Sequence, residues 1–442
     1  MAIKQETQKM KPLKVVHLNA SSAGGAFVAA QRLSEALNQR PDIDSEHWVF
    51  DGGEGDFHLW ANNWLRRKWA FALHALEKLD FLHHERERSV RFAFSHGKTG
   101  VNVAAWRAIQ QADVVHLHWV NKGFVSLNGL DALLRGKQKV VWTCHDMWPF
   151  TGGCYHPRGC DHFERRCGEC AYLKNPAEGD LSRRVFTAKQ RIFQSNEAHL
   201  QFVTPSQWLK DQALKSGVLT SKLRAQIEVI PNPIDTDYFH LVSDTAGIRE
   251  LGESANPSSI SGQKPFTLMF AAANLGNVAK GFAEFRDLCN ALYANGYTQL
   301  KALVVGENRL GDLGLLCDFE ALGFIADSQK MRDAYWATDV YVTTSHEENL
   351  PTTIMESLSC GVPVAAFAVG GIPEMVDVDD AHRTGWLVPK MDVDSLVRNI
   401  AAYMALDNDG RAQIQRNCRV AALAKYSAES IALAYQRVYL GC

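Results

Sequence analysis

Residues 339–368 read DVYVTTSHEENLPTTIMESLSCGVPVAAFA, and the alternation of texture inside them decides the fold. DVYVTTS (339–345) and VPVAAFA (362–368) are short apolar runs. Between them a turn-like HEENL gives way to a helical pattern that begins at Pro351, a residue suited to a helix start because its missing N–H would be unpaired there in any case. Apolar residues on consecutive positions suit strands buried on both faces, and two such strands joined through a helix make a parallel βαβ unit.

The same texture recurs outward from this stretch. KVVHLN (14–19), DVVHLHW (113–119), KVVWTC (139–144) and LQFVTPS (200–206) precede it, and FTLMFAAAN (266–274) and KALVVGE (301–307) lead up to it, each followed by a helical pattern. The expected class is α/β with two doubly wound parallel sheets. A chain of 442 residues suits two domains. The two prolines of VIPNPIDTDYF (229–239) interrupt any helix or central strand, and a polar stretch follows at 243–264. The expected division is a flexible N-terminus over 1–12, an N-terminal domain over 13–234, a C-terminal domain over 235–426, and a helix over 427–442 that packs back across the domains.

Composition excludes several classes. Hydrophobic residues at 46% and charged residues at 22% leave ample material for cores and little that reads as disordered. A net charge of −2 argues against a broad electrostatic footprint on nucleic acid, so no nucleic-acid partner is expected. The N-terminal MAIKQETQKMKPLK has no apolar signal-peptide core, and no apolar run approaches 18 residues, so a cytoplasmic location is expected. The segment 62–92 sets Trp64, Trp69, Phe71, Leu73, Leu76, Phe81 and Leu82 among Arg66, Arg67 and Lys68. Such a helix either packs on a sheet or lies on an anionic membrane, here the inner face of the cell membrane.

Ligands of open α/β sheets bind beyond the carboxyl ends of the strands. Strand 14–19 runs into ASSAGGAF, whose Gly24 and Gly25 let a backbone approach a ligand closely. Strand 266–274 runs into NLGNVAKGF, where Lys280 is a point charge suited to a diphosphate or an ordinary solvated lysine. In the opening stretch, Glu348 in the loop and Glu356 in the helix would repel a phosphate at the helix start. Sugar hydroxyls suit them better, since a carboxylate accepts two at fixed geometry. Glu356 has a second reading, because Thr353-x-x-Glu356 fits a capping box.

EENLPTTIMESLSCGVPV resembles the signature of the family-4 retaining glycosyltransferases of GT-B fold, with Glu348 and Glu356 at the family's spacing. Around it LVVGE, GFIADSQK, WATDVYV, AVGGIPEMV and TGWLV occur in the family's order, and PNPID resembles its interdomain hinge. The resemblance implies two Rossmann-like domains facing a cleft. It implies that Glu348 contacts the transferred sugar, that Asn349, Leu350 and Thr352 offer backbone N–H groups, and that Glu356 holds a ribose. Lys280 would neutralise the diphosphate, the backbone at Ile325 would meet the base, Gly24 and Gly25 would form the N-terminal glycine loop, and His145 would lie near the reaction centre. Asn274 stands where the family usually carries an arginine, so an amide replaces a charge.

The activity implied is hexose transfer from a UDP- or GDP-linked sugar to a glycan or lipid-linked acceptor in exopolysaccharide or lipopolysaccharide synthesis, with catalytic roles for His145, Glu348 and Lys280. The alternatives are a GT-B epimerase or phosphorylase, or a non-catalytic nucleotide-sugar-binding protein. No cofactor is expected for catalysis, because Asp235-x-Asp237, Asp377-x-Asp379 and Asp392-x-Asp394 do not end apolar runs in the manner of a metal-binding Asp-x-Asp. Separately, Cys154, Cys160, Cys167 and Cys170 stand with five, six and two residues between them in a Cys-rich insertion over 154–170. They read as a structural zinc site, or as reduced thiols or a redox pair, with Cys144, His156 and His162 as competing ligands. This insertion resembles that of colanic-acid-type enzymes.

Overall fold

The computed structural model describes residues 11–242 and 264–441. The tail expected over 1–12 and the polar stretch 243–264 lie outside the described residues apart from 11, 12 and 264. The chain forms two compact units, one running to Pro233 and resuming at Ala428, the other Ile234–Ser427.

In the first unit β1 (Leu13–Ser21), β2 (Ile43–Asp51), β3 (His58–Leu59), β4 (Val114–Leu117), β5 (Lys139–Thr143), β6 (Leu200–Thr204) and β7 (Glu228–Val229) make one parallel sheet. Its order is β3-β2-β1-β4-β5-β6-β7. Val15 to Ala20 are all buried, which is why this run carries no polar alternation. β2 alternates instead, with Asp44, Glu46 and Trp48 less buried than Ile43, Ser45 and His47, so it lacks the continuous apolar run that marks its neighbours.

The helix Ala428–Leu440 belongs to this unit. Ile431, Ala432, Tyr435, Val438 and Tyr439 pack with Val15, Leu33, Leu37, Val114 and Val141. Two hydroxyls tie it to the sheet at 2.7 Å each, Tyr435 Oη to Thr143 Oγ1 and Tyr439 Oη to His116 Nδ1.

The helix Trp64–Leu82 starts at Asn63, whose side chain accepts from Arg66 N at 3.0 Å. Its buried face is narrow, consisting of Ala70, Leu73, Glu77 and Phe81. Trp64, Leu65, Trp69 and Phe71 are exposed, Phe71 by 70%. Among the described residues no helix is long and apolar enough to cross a membrane.

In the second unit β8 (Phe266–Asn274), β9 (Leu300–Glu307), β10 (Asp318–Gly323), β11 (Val340–Thr343), β12 (Val364–Phe367) and β13 (Gly385–Val388) form a second parallel sheet. Its order is β10-β9-β8-β11-β12-β13. Its core combines Leu268, Met269 and Phe270 of β8 with Phe285 and Leu288 of the following helix, and Val340 and Val342 of β11 with Ile354 and Leu358. Both units are therefore Rossmann-like.

Candidate functional site

A doubly wound sheet opens a crevice where its strand order reverses. In the second unit the reversal lies between β8 and β11, and the loops leaving those strands carry Lys280 and Glu348. The two loops are pressed together. Gly281 has φ 77°, and a Cβ on it would come within 1.9 Å of Thr344 O, so only glycine fits both the backbone and the space. Thr344 Oγ1 donates to Gly281 O at 2.6 Å, and His346 N donates to Ala279 O at 2.8 Å.

Across this junction the Lys280 ammonium donates to Glu348 Oε1 as an ion pair. Ser345 Oγ donates to the same oxygen at 3.1 Å. The backbone of Glu348 is gripped from the other side, where Gly371 N donates to its carbonyl at 3.3 Å. Gly370, at φ 57°, leaves room for that carbonyl where a Cβ would sit 1.6 Å from it. His346 Nε2 lies 3.1 Å from Glu284 Oε1, tying the β11 loop to the helix Phe282–Ala294.

Glu356 is buried in the helix Thr352–Ser359, where it accepts from Tyr335 Oη at 3.1 Å. Burial, reinforced by the Glu356 charge, pushes the Tyr335 phenol well up, so it remains a donor. The capping box does not form. Pro351 is the N-cap with no side-chain cap bond, and Thr353 lies inside the helix, its Oγ1 accepting from Tyr341 Oη at 2.9 Å. Asn349 and Leu350 are buried just before the helix and Thr352 is its first residue. Asn274 ends β8, and its side-chain Oδ1 accepts from Gly276 N at 2.8 Å. Ile325 follows β10 and lines a cavity with Thr267, Leu303, Leu322 and Ala334. Sequence reading missed Ser345, Tyr335, His346, Glu284 and Gly370. Of these only the paired glycines of AVGGIPEMV carried a local signal.

In the first unit the reversal lies between β1 and β4. Gly24, at φ 91°, caps the helix Gly25–Asn38, and a Cβ at Gly24 or Gly25 would meet nothing within 4 Å. Backbone conformation rather than crowding requires glycine at 24. His145 follows β5. Behind it runs a chain of imidazoles, with His145 Nε2 3.2 Å from His118 Nδ1 and His118 Nε2 3.0 Å from His17 Nδ1. Strand alternation places His116 and His118 on one face of the sheet, and register pairs His116 with His17 of β1. Burial holds all four neutral, with His145 pushed down to about 4 and the others well below their usual value. The sequence offered His-Leu-His at the end of β4 as a clue to this chain.

His17, His116 and His118 bring ring nitrogens within 4.8 Å of one another, the one such metal-sized group among the described residues. Those nitrogens are already engaged, however. His116 bonds Tyr439 and Thr143, His118 bonds His145 and His17, and only His17 Nε2 lacks a partner.

Cys154, Cys160, Cys167 and Cys170 line one cavity of about 260 Å³ together with His162. All four are free thiols, and no three of their sulfurs come within 4.8 Å of one another. Burial pushes Cys167 up to about 12 and Cys170 up to about 11.

Two family models match the chain. Residues 74–238 match Glycosyltransferase Family 4, and residues 266–405 match Glycosyl transferases group 1. The putative colanic acid biosynthesis glycosyl transferase WcaC of Escherichia coli K12 is 27% identical over 276 residues, 57% of this chain and 58% of that protein. The match thus spans little more than half of that relative. The lipopolysaccharide core biosynthesis mannosyltransferase LpsB of Rhizobium meliloti is 28% identical over 120 residues, 26% of this chain and 33% of its own. Among solved structures, Anabaena HepE in complex with UDP and glucose superposes with a TM-score of 0.61 at 16% identity, covering 97% of this chain and 100% of its own. WaaG, a glycosyltransferase involved in lipopolysaccharide biosynthesis, gives 0.60 at 13% identity with the same coverage. At these identities the superpositions speak for the fold, which is GT-B. With one family domain on each of its parallel sheets, the chain belongs to the family-4 and group-1 glycosyltransferases.

Proposed function

We propose that the chain transfers a hexose from a nucleoside diphosphate to a glycan or lipid-linked oligosaccharide during bacterial surface-polysaccharide synthesis, with retention of configuration and without a metal. The observation that carries this reading is the Lys280–Glu348 pair at the β8/β11 reversal. A cation fit for a diphosphate and a carboxylate fit for a sugar share one place and hold each other there. An incoming donor exchanges these partners, its diphosphate taking the Lys280 ammonium and its sugar hydroxyls taking Glu348. Glu356 accepts the ribose hydroxyls, Ile325 meets the base, and Asn349, Leu350 and Thr352 lead the backbone into the helix start. Because Asn274 brings no charge, leaving-group stabilisation rests on Lys280 and on helix N-termini. HepE, solved with UDP-glucose, supports a nucleotide-sugar donor, and WcaC supports an exopolysaccharide setting.

In this mechanism the bond from the anomeric carbon to the diphosphate oxygen breaks and the acceptor oxygen bonds to the same face. The acceptor's proton passes to a diphosphate oxygen. Gly24 and Gly25 present unobstructed backbone, and His145 serves as a neutral donor. The bare His17 Nε2 supports that role. A buried N–H without an acceptor is the rarer defect, so His17 carries its proton on Nδ1 and donates to His118. His118 then donates to His145 Nε2, leaving the His145 proton on Nδ1. The exposed Trp64, Trp69 and Phe71 beside Arg66, Arg67 and Lys68 support a peripheral seat on the cytoplasmic face of an anionic membrane, where a lipid-linked acceptor resides.

The test is incubation with a panel of UDP- and GDP-sugars in chelator, following nucleotide release and product anomeric configuration. Release accelerated by acceptor, with a retained linkage, is expected. Neither binding nor release with any donor overturns the reading.

A further inference from the structure

We propose that Cys154, Cys160, Cys167 and Cys170 are the four ligands of a structural zinc ion that closes the insertion following His145. The insertion carries little regular secondary structure. From Thr151 to Asp180 its only helical element is the short turn His162–Glu164, and its strand pairing is limited to isolated bridges at Cys154 and Leu173. Loops of this length without secondary structure need some other fastening. Apolar packing supplies part of it, since Tyr155 and Phe163 reach the main core of the unit and Cys167 packs against that core. The local cluster is Phe81, Val90, Phe94, Tyr172 and Leu173, and Cys154 and Cys170 are themselves packed against it.

The chain is also bent so that the four cysteines line one cavity. Cys167, Gly168 and Glu169 have φ of 54°, 104° and 48°, a left-handed run that includes two non-glycine residues. It is pinned on every side. Arg183 Nε donates to Cys167 O at 3.0 Å, Gly168 N to Ser182 Oγ at 3.0 Å, and Cys170 N to Asp180 Oδ2 at 2.9 Å. Gly152 N donates to Cys167 Sγ at 3.2 Å. Arg86 and Arg158 stand in the cavity wall, beside Glu87. Lys189 is fully buried nearby, donating to Thr151 O at 3.1 Å. The two arginines and Lys189 suit the double negative charge of a zinc tetrathiolate. Zn–S bonds of about 2.3 Å in a tetrahedron put sulfurs roughly 3.8 Å apart. The sulfurs described here stand wider, so zinc draws them inward by side-chain rotation around the cavity.

This site stands whether or not the transferase reading does, because its readouts are metal and thiols. Protein purified without added zinc should contain about one zinc per chain. Removing the metal should raise the count of rapidly reacting thiols by about four, and cobalt exchanged into the wild-type protein should give the visible spectrum of a tetrahedral tetrathiolate. Cys167→Ser and Cys170→Ser should each lower zinc content at least tenfold. Should those variants fail to fold, the cobalt spectrum of the wild-type chain still decides. Metal-free protein with all four thiols reactive, a cysteine pair that reacts only after reduction, or an iron–sulfur chromophore would each overturn the proposal.

Discussion

Replacing Glu356 with glutamine should separate binding from stability with opposite signs. The carboxylate is buried and accepts a hydrogen bond from Tyr335 Oη at 3.1 Å. Glutamine keeps the shape and one carbonyl acceptor but turns the other oxygen into a donor. If the carboxylate receives two ribose hydroxyls, one charge-assisted bond becomes neutral and the other is lost. Charge-assisted bonds contribute about 1.5–3 kcal/mol and neutral ones about 1 kcal/mol, so the expected loss is roughly 2–5 kcal/mol. That corresponds to nucleotide binding about 30-fold to several thousand-fold weaker. Folding should respond the other way, since removing a buried charge relieves its desolvation while the Tyr335 bond can persist. Titration calorimetry with the nucleoside diphosphate, alongside thermal unfolding, reads both. A lower Tm with unchanged affinity would refute the ribose role and leave Glu356 a structural acceptor.

Other outcomes follow from the same geometry. Lys280→Met should lower kcat/KM about a hundredfold by removing one charge-assisted contact of about 2–3 kcal/mol to the leaving group, with Lys280→Arg recovering part of it; equal rates would exclude the diphosphate role. The buried histidines set a pH response. Their folded-state values lie below the unfolded 6.5, so the unfolded chain takes up protons first as pH falls. Their contribution is complete above about pH 6.5 and is lost on descent toward the folded value, about 4 for His145. Each costs about 1.4 kcal/mol per unit below 6.5, so Tm measured from pH 7.5 to 5.5 should fall steeply, and a flat profile contradicts the neutral chain. Trp69→Asp with Phe71→Asp should weaken co-sedimentation with anionic vesicles at least tenfold while leaving Tm unchanged, because both side chains are exposed; unchanged vesicle binding removes the membrane role from this helix.

The central strands were legible because burial on both faces leaves an uninterrupted apolar run, as in FTLMFAAAN, which the structure returns as Phe266–Asn274. Strands toward the sheet margins were not. β10 reads DFEALG, with its first four residues exposed, and nothing in those letters distinguishes it from a loop. At the site, the signature showed which carboxylates to watch but not what holds them. Tyr335 reaches Glu356 from 21 positions away in sequence, and Lys280 reaches Glu348 from 68. Such pairs are fixed by the strand order and not by local spacing. Glu356 shows the limit from the other side: its Thr-x-x-Glu spacing satisfied a capping pattern that the helix start at Pro351 does not use.

The helix Ala428–Leu440 gives the fold a direction in time. A ribosome delivers β1 and β5 long before it delivers Tyr435 and Tyr439, yet those tyrosines cover the strands' apolar face and satisfy Thr143 and His116. Until then Val15, Val114 and Val141 lack their cover. At about 1.5–3 kcal/mol for each large apolar side chain, the missing burial is on the order of 10 kcal/mol, as large as the stability of a typical domain. The second unit, whose residues are contiguous from Ile234 to Ser427, faces no such wait. During synthesis the later-made half can therefore finish first, while the earlier-made half stays open to chaperones or to a mispaired neighbour until its closing segment leaves the exit tunnel.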